Sequence, residues 1–470
     1  MQTQQDHYTF LTSGPIHRVI GTMAVPTIIS MLITNLYNIA DTFFVGQIDT
    51  QSTAAVGVVF SLMFCVQAFG FLFGHGSGNF IARELGAQRH ENANKMAATG
   101  FVFSATAGLL IMLFGHVFLR PLSVWLGSTP TILPYTERYL RIILFGTPFL
   151  TASLTLNNQM RFQGNAAYAM YGIVTGAVLN VLLDPLFIFV FRMGVSGAAL
   201  ATVVGQVVSF FILWRMTKRG GNIPIRLRSF TPTWAFIKEI FFGGSPSLSR
   251  QGLGAVATLM LNIAAGAYGD AAIAAMSIVS RIAMFVMAVI IGLGQGFQPF
   301  CGFCYGAGLY PRLKAGYWFT VKSGTVILIF FTLLCFVFGE SSISVFRDDS
   351  DVIRIGQVAL RWQLMTWPFI SLIVTSNMLL QTCRRPLRAN ILAAARQGLF
   401  FIPLIVVLPR CFGLAGVECC QAVSDLLAFG ITVPIVWSFF REINALPPAD
   451  PVGRSAEDGS SKCHKQDKTL

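Results

Sequence analysis

The stretch NVLLDPLFIF, residues 180–189, keeps one carboxylate in an otherwise apolar run. Asn180 and Asp184 are one helical turn apart, so on an α-helix the amide and the acid share a face. The stretch TNLYNIAD, residues 34–41, has the same design: Thr34, Asn38 and Asp41 fall on one face. Thr202, in GAALAT, adds a hydroxyl. Two carboxylates, a carboxamide and a hydroxyl are hard oxygen donors that suit a cation. Two carboxylates kept close in a dry setting also tend to hold a proton, because burial and like charge both disfavour the doubly ionised state. The plainer alternative is two separate acids, each capped by a local hydrogen bond. Thr34, Tyr37 and Asn38 are candidates for the wall of a substrate cavity.

The second half of the chain has a different polar set: Arg250, Arg281, Arg396, Glu418 and Asp425. Two readings stand. They form ion pairs between helices or snorkel near span ends, or Arg250, Arg281 and Arg396 line a substrate cavity. Pro26 lies on the same predicted helix as Asp41. Its missing N–H permits a bend that would re-aim the acid. No GxxxxGK[ST] loop, HExxH motif or Ser/His/Asp arrangement is present, so neither ATP-driven chemistry nor an enzyme is expected. The histidines and cysteines lack metal-ligand spacing, and the nine cysteines read as buried free thiols. No cofactor is expected beyond H+ or Na+ as a coupling ion, and no metal other than sodium at that acidic site.

The elements that must position these groups follow from composition. The chain has 470 residues, of which 54% are hydrophobic and 11% charged, with a mean hydropathy of +0.65. Soluble proteins average about 25% charged residues, so the chain reads as an all-α polytopic membrane protein. The net charge of +13 lies mostly between apolar stretches. There it sets membrane orientation rather than binding nucleic acid. The opening MQTQQDHYTF lacks the pattern of a cleavable signal peptide.

A helix crosses a bilayer in about 20 residues. Twelve such segments centre near residues 34, 66, 106, 150, 178, 206, 254, 288, 327, 367, 399 and 428. The expected organisation is an N-terminal segment, 1–16; a first six-helix lobe, 17–217; a basic linker, 218–238; a second six-helix lobe, 239–441; and a disordered tail, 442–470. Basic residues concentrate in alternate connections, with Arg83, Arg89, Arg161, Arg215, Lys218 and Arg384 among them, which places both termini in the cytoplasm. On this topology Asp41, Asp184 and Thr202 all lie roughly 10–15 Å inside the outer boundary.

The halves repeat at an offset of 220 residues: Pro26 matches Pro246, Gly74 and Gly76 match Gly294 and Gly296, and Gly86 matches Gly306. Later the register drifts, and Gly194 and Gly197 match Gly413 and Gly416. Two pseudo-symmetric lobes of like orientation imply a central cavity and rocking between two open states. Asp41 and Asn180 fall on Leu261 and Phe400 of the other half, and Asp184 on Leu404 or Ile402. The architecture therefore does not require acids at these positions.

AVPTIISMLITNLYNIADTFFVGQ, GSGNFIARELGA and LNVLLDPLFIFVFRMGVSGAALATVVGQ together resemble the MATE (multidrug and toxic compound extrusion) family over about residues 15–440. The resemblance implies a plasma (inner) membrane antiporter that exports organic, often cationic or amphipathic, compounds against inflowing protons or sodium, with protons preferred. It assigns coupling to Asp41, Asn180, Asp184 and Thr202, and helix bending to Pro26. Some relatives carry a second acidic site in the seventh and tenth spans. PSLSRQGLGAVATLMLNIAAG and LMTWPFISLIVTSNMLLQ hold no acid here, which points to the bacterial branch with an acidic site in the first lobe only. The expected partners are small organic molecules and membrane lipids, with no nucleic acid and a monomeric state. The rival readings are a flippase or exporter of an amphipathic lipid-linked metabolite, and an uncoupled channel or receptor.

Overall fold

The structure, a computed structural model, describes residues 2–344, 346 and 349–445. The expected tail from residue 446 onward lies outside them. The described chain is helical nearly throughout. A short helix α1 (Gln2–Ser13) precedes α2 (Ile16–Gly46), α3 (Thr50–Gly86) and α4 (His90–Val117). A short helix α5 (Leu119–Trp125) of about two turns leads into α6 (Leu133–Phe162). Next come α7 (Ala166–Pro185), extended by a π-helical turn at Leu186–Val190, and α8 (Val195–Met216). The second half holds α9 (Trp234–Gly266), α10 (Asp270–Gly306), α11 (Tyr310–Ser344) and α12 (Ser350–Thr382). It ends with α13 (Pro386–Ala394), a π-helical turn at Ala395–Leu399, α14 (Phe401–Phe412) and α15 (Leu414–Asn444). α1 falls in the segment read as a plain N-terminal extension, and α9 begins inside the segment read as linker.

Twelve of these units are membrane-length spans, counting α7 and α13–α14 with their π turns. Eleven are long and apolar enough to cross a bilayer by length and composition. The twelfth, α9, is 33 residues long, but the polar run SPSLSRQ at its centre dilutes its hydropathy. The apolar residues a soluble protein would hide face outward. On α11, Val326, Phe330, Leu333 and Val337 are all exposed, and their spacing of four, three and four makes one lipid-facing stripe.

Two lobes follow from how the cores are shared. One buried cluster draws only on the first half, around Val59, Leu140, Ile143 and Ala198. A second draws only on the second half, around Val279, Leu328, Ile370 and Phe401. The largest joins both: Ile20, Leu72 and Ile81 pack with Phe297, Phe300 and Leu379. This joint core lies on the face that carries α1, the linker and the end of α15. The lobes are therefore closed on that face and separate toward the other.

The pseudo-symmetry is visible in the contacts. A Cβ on Gly86 would collide with the carbonyl of Phe303, and a Cβ on Gly306 with the carbonyl of Arg83. Arg83 and Phe303 are themselves partners in the 220-residue repeat, so α3 and α10 cross on a two-fold axis where only glycine fits. Gly194 and Gly413 each precede the last span of their lobe, with φ/ψ of 55°/−135° and 62°/−139°. Side chains rarely adopt that conformation, and its recurrence supports the drifted register of the repeat.

Polar bonds add to the closed face. Arg83 donates to Glu239 at 2.7 Å and to the carbonyl of Thr382 at 2.8 Å. Thr382 donates to Asn79 at 2.8 Å. The linker is tied to the first lobe, with Gln163 accepting from Ile223 N at 2.6 Å and Asn165 donating to Asn222 at 2.6 Å.

Candidate functional site: a central cavity and an acid pair

Between the lobes lies a cavity of about 1260 Å³. Its lining runs from Arg161 and Gln295, beside the joint core, to Phe43 and Phe346 at the opposite face. Thr34, Tyr37, Asn38, Arg250, Arg281 and Arg396 all line it, as do Asn180 and Thr202. Asp41, Asp184 and Pro26 do not.

The acids sit off the cavity, in the first lobe. α2 and α8 both pack on α7. Asp184 is fully buried, and Asp41 is close enough for the two to sense each other's charge. Asn180 donates to the Thr202 hydroxyl at 3.2 Å, and Thr202 donates to the carbonyl of Ala198 at 3.0 Å. The structure thus brings all four residues into one region. Both carboxylate oxygens of Asp184, one of Asp41 and the amide oxygen of Asn180 are buried without a protein hydrogen-bond partner among the described residues. Leaving such groups unmet costs about 1–3 kcal/mol each. A proton or a small hard cation would satisfy them. Among the described residues no group of three His, Cys, Asp or Glu could hold a metal ion.

Two tyrosines border this region. Tyr37 lies within electrostatic reach of both acids and also lines the cavity, so it stands between the two compartments. Tyr139, buried on α6, reaches both acids as well. Sequence reasoning missed Tyr139, because ERYLR at 137–141 reads as the end of a polar outer connection.

The geometry around Asp184 follows from Pro185. Proline has no N–H to give the preceding turn. The helix then widens, and Phe191 N bonds the carbonyl of Leu186 at 2.9 Å, five residues back. The second lobe breaks its matching span elsewhere. The π turn Ala395–Leu399 carries Arg396, whose Nε donates to Asp425 at 2.7 Å. Gln421 adds a bond to the same carboxylate oxygen at 2.8 Å. This is the ion-pair alternative of the sequence reading, realised for Arg396 even though it touches the cavity. Among the described residues Arg250 has no carboxylate partner; it donates to Asn377 at 3.0 Å. Arg161 differs from expectation. Its position beside a polar turn suggests a loop residue, yet α6 continues through it and it is 2% exposed.

Twelve spans in two like-oriented lobes, around a cavity closed at one end, make the architecture of an alternating-access secondary transporter. The MatE family profile matches twice, over residues 26–186 and 246–407, once per lobe. The chain belongs to the MatE family. It is 26% identical to "Multidrug export protein MepA" of Staphylococcus haemolyticus over 432 residues, 91% of this chain and 95% of that one. Its fold matches the outward-facing conformation of a multidrug resistance MATE family transporter of the MOP superfamily, with a TM-score of 0.88 at 24% identity, over 93% of this chain and 98% of that one. It also matches a MOP superfamily transporter from Pyrococcus furiosus Vc1, whose binding pocket is described as of reverse polarity, suggesting a different function. There the TM-score is 0.87 at 25% identity, over 93% of this chain and 99% of that one.

Proposed function

We propose that this protein is an antiporter of the plasma (inner) membrane that exports amphipathic organic compounds in exchange for inflowing protons, with sodium the second choice of ion. Both termini face the cytoplasm, so the cavity opens outward. The observation that carries the reading is the Asp41–Asp184 pair of the first lobe: Asp184 is buried, and both its carboxylate oxygens and one of Asp41's are buried without a hydrogen-bond partner among the described residues. Uptake of a proton there removes charge from the interface of α2, α7 and α8. Tyr37, which faces both the acids and the cavity, is the first group to sense the change. Pro26 allows the outer part of α2 to bend in response. Cargo then leaves outward and the lobes rock to the inward-open state. The names of the multidrug exporters that the chain resembles support the direction of transport.

The test is efflux of a fluorescent amphipathic compound from cells, first with an imposed proton gradient, then with sodium alone. Asp184→Asn and Asp41→Asn should each slow gradient-driven efflux by at least about tenfold. Unchanged gradient-dependent efflux in both variants would sink the reading.

A further inference from the structure

The cavity is basic. Its charged lining residues are Arg161, Arg250, Arg281 and Arg396, and no Asp or Glu lines it among the described residues. Asp425 neutralises Arg396. Among the described residues the other three have no carboxylate partner.

Arg161 is held by neutral acceptors alone. It donates to Gln295 at 2.6 Å and to Asn158 at 2.5 Å, and faces Nε2 of His75 at 3.3 Å. A guanidinium has no acceptor, so Nε2 must present its lone pair. The His75 proton then sits on Nδ1, which donates to the carbonyl of Phe71 at 3.2 Å. The group keeps its full positive charge, and Arg161 Nε is buried without a partner. His75 is within electrostatic reach of both Arg161 and Arg250. Arg161 and Arg250, one from each lobe, both line this cavity, and Arg250 too is held by a neutral acceptor, donating to Asn377 at 3.0 Å. A buried charge without a counter-charge is costly unless a ligand supplies one. Above the floor the wall is apolar and adaptable, with Phe60, Phe64, Phe71, Met284 and Met287.

We propose that the cargo is an amphipathic organic anion, its sulfonate, phosphate or carboxylate head held by Arg161 and Arg250 and its apolar body by the Phe and Met wall. Arg281, exposed in the cavity, draws the anion in. A cationic compound would meet three like charges, with Asp41 and Asp184 set off the cavity. The inference rests on the exporter reading for the direction of movement only, since binding needs no gradient.

The experiment measures fluorescence anisotropy of the full chain in lipid nanodiscs with two probes of matched body and opposite charge, 1-pyrenesulfonate and 1-pyrenemethylammonium. The sulfonate should bind at least about tenfold more tightly. Arg250→Gln should cost roughly tenfold in sulfonate affinity and leave the ammonium unchanged or tighter. Arg250→Lys, which keeps the charge, should retain most of the affinity, and so separates loss of charge from misfolding. A pyrene-labelled lysophosphatidate distinguishes the source. Binding of the sulfonate assigns a soluble anion, and binding of the lysophosphatidate alone assigns a membrane lipid. Preference for the ammonium over both anions, or no loss with Arg250→Gln, overturns the proposal. Because no gradient is applied, failure here leaves the coupling reading intact, and sulfonate binding without gradient-driven efflux sinks only that reading.

Discussion

Arg161 of the first lobe donates through Nη1 to the side-chain oxygen of Gln295 in the second at 2.6 Å. This bond crosses the lobe interface at the cavity floor and leaves the guanidinium charge uncompensated. A carboxylate in place of the amide would keep the geometry and cancel the charge. Charge-assisted bonds are roughly twice as strong as neutral ones. Gln295→Glu should therefore strengthen the closed face and weaken 1-pyrenesulfonate binding by about tenfold. Thermal unfolding and anisotropy on the same preparation check both effects. A stabilised variant with undiminished sulfonate affinity would show that Arg161 does not hold the anion.

The hydrogen bond from Asn180 to Thr202, at 3.2 Å, separates the two candidate ions. Sodium needs several oxygen ligands, whereas a proton needs only a carboxylate. With proton coupling, Thr202→Val should cost no more than about fivefold in efflux rate, the worth of one neutral hydrogen bond. Efflux driven by an imposed pH gradient measures this. A collapse confined to sodium-driven efflux would move the preference to sodium.

Gly86 and Gly306 let α3 and α10 touch through backbone. Backbone cannot swing aside as a side chain does, so Gly86→Val should open the joint core. Overpacking of this kind costs about 1–3 kcal/mol, enough to shift an equilibrium between two open states by roughly fivefold or more. Spin labels at Phe60 and Met284, on opposite sides of the cavity, would report the change by pulsed electron resonance. The population with the labels close together should grow, and an unchanged distance distribution would contradict the role given to this crossing.

Much of the fold was legible because its causes are local. A bilayer needs long apolar helices, so the hydropathy of the chain reports the spans directly. α9 is the weakest of these signals, because the polar run SPSLSRQ lies at its centre, yet the apolar stretches on either side still mark it. Helical spacing likewise placed Thr34, Asn38 and Asp41 on one face, and Asn180 with Asp184 on another. The family resemblance rested on the same motifs.

What the sequence determined by itself is the number of spans, the two-lobe repeat and the confinement of the acid pair to the first lobe. Each is written in residue type and spacing along one chain. The tertiary structure alone decided which polar groups meet. It paired Arg396 with Asp425, set Asp41 and Asp184 off the cavity behind Tyr37, and carried Arg161 from an apparent loop to the cavity floor beside Gln295. Those outcomes depend on contacts between helices more than a hundred residues apart, or on the rotation that a π turn gives one helix. Neither leaves a local mark in hydropathy, so only packing could choose between ion pair, coupling site and binding surface.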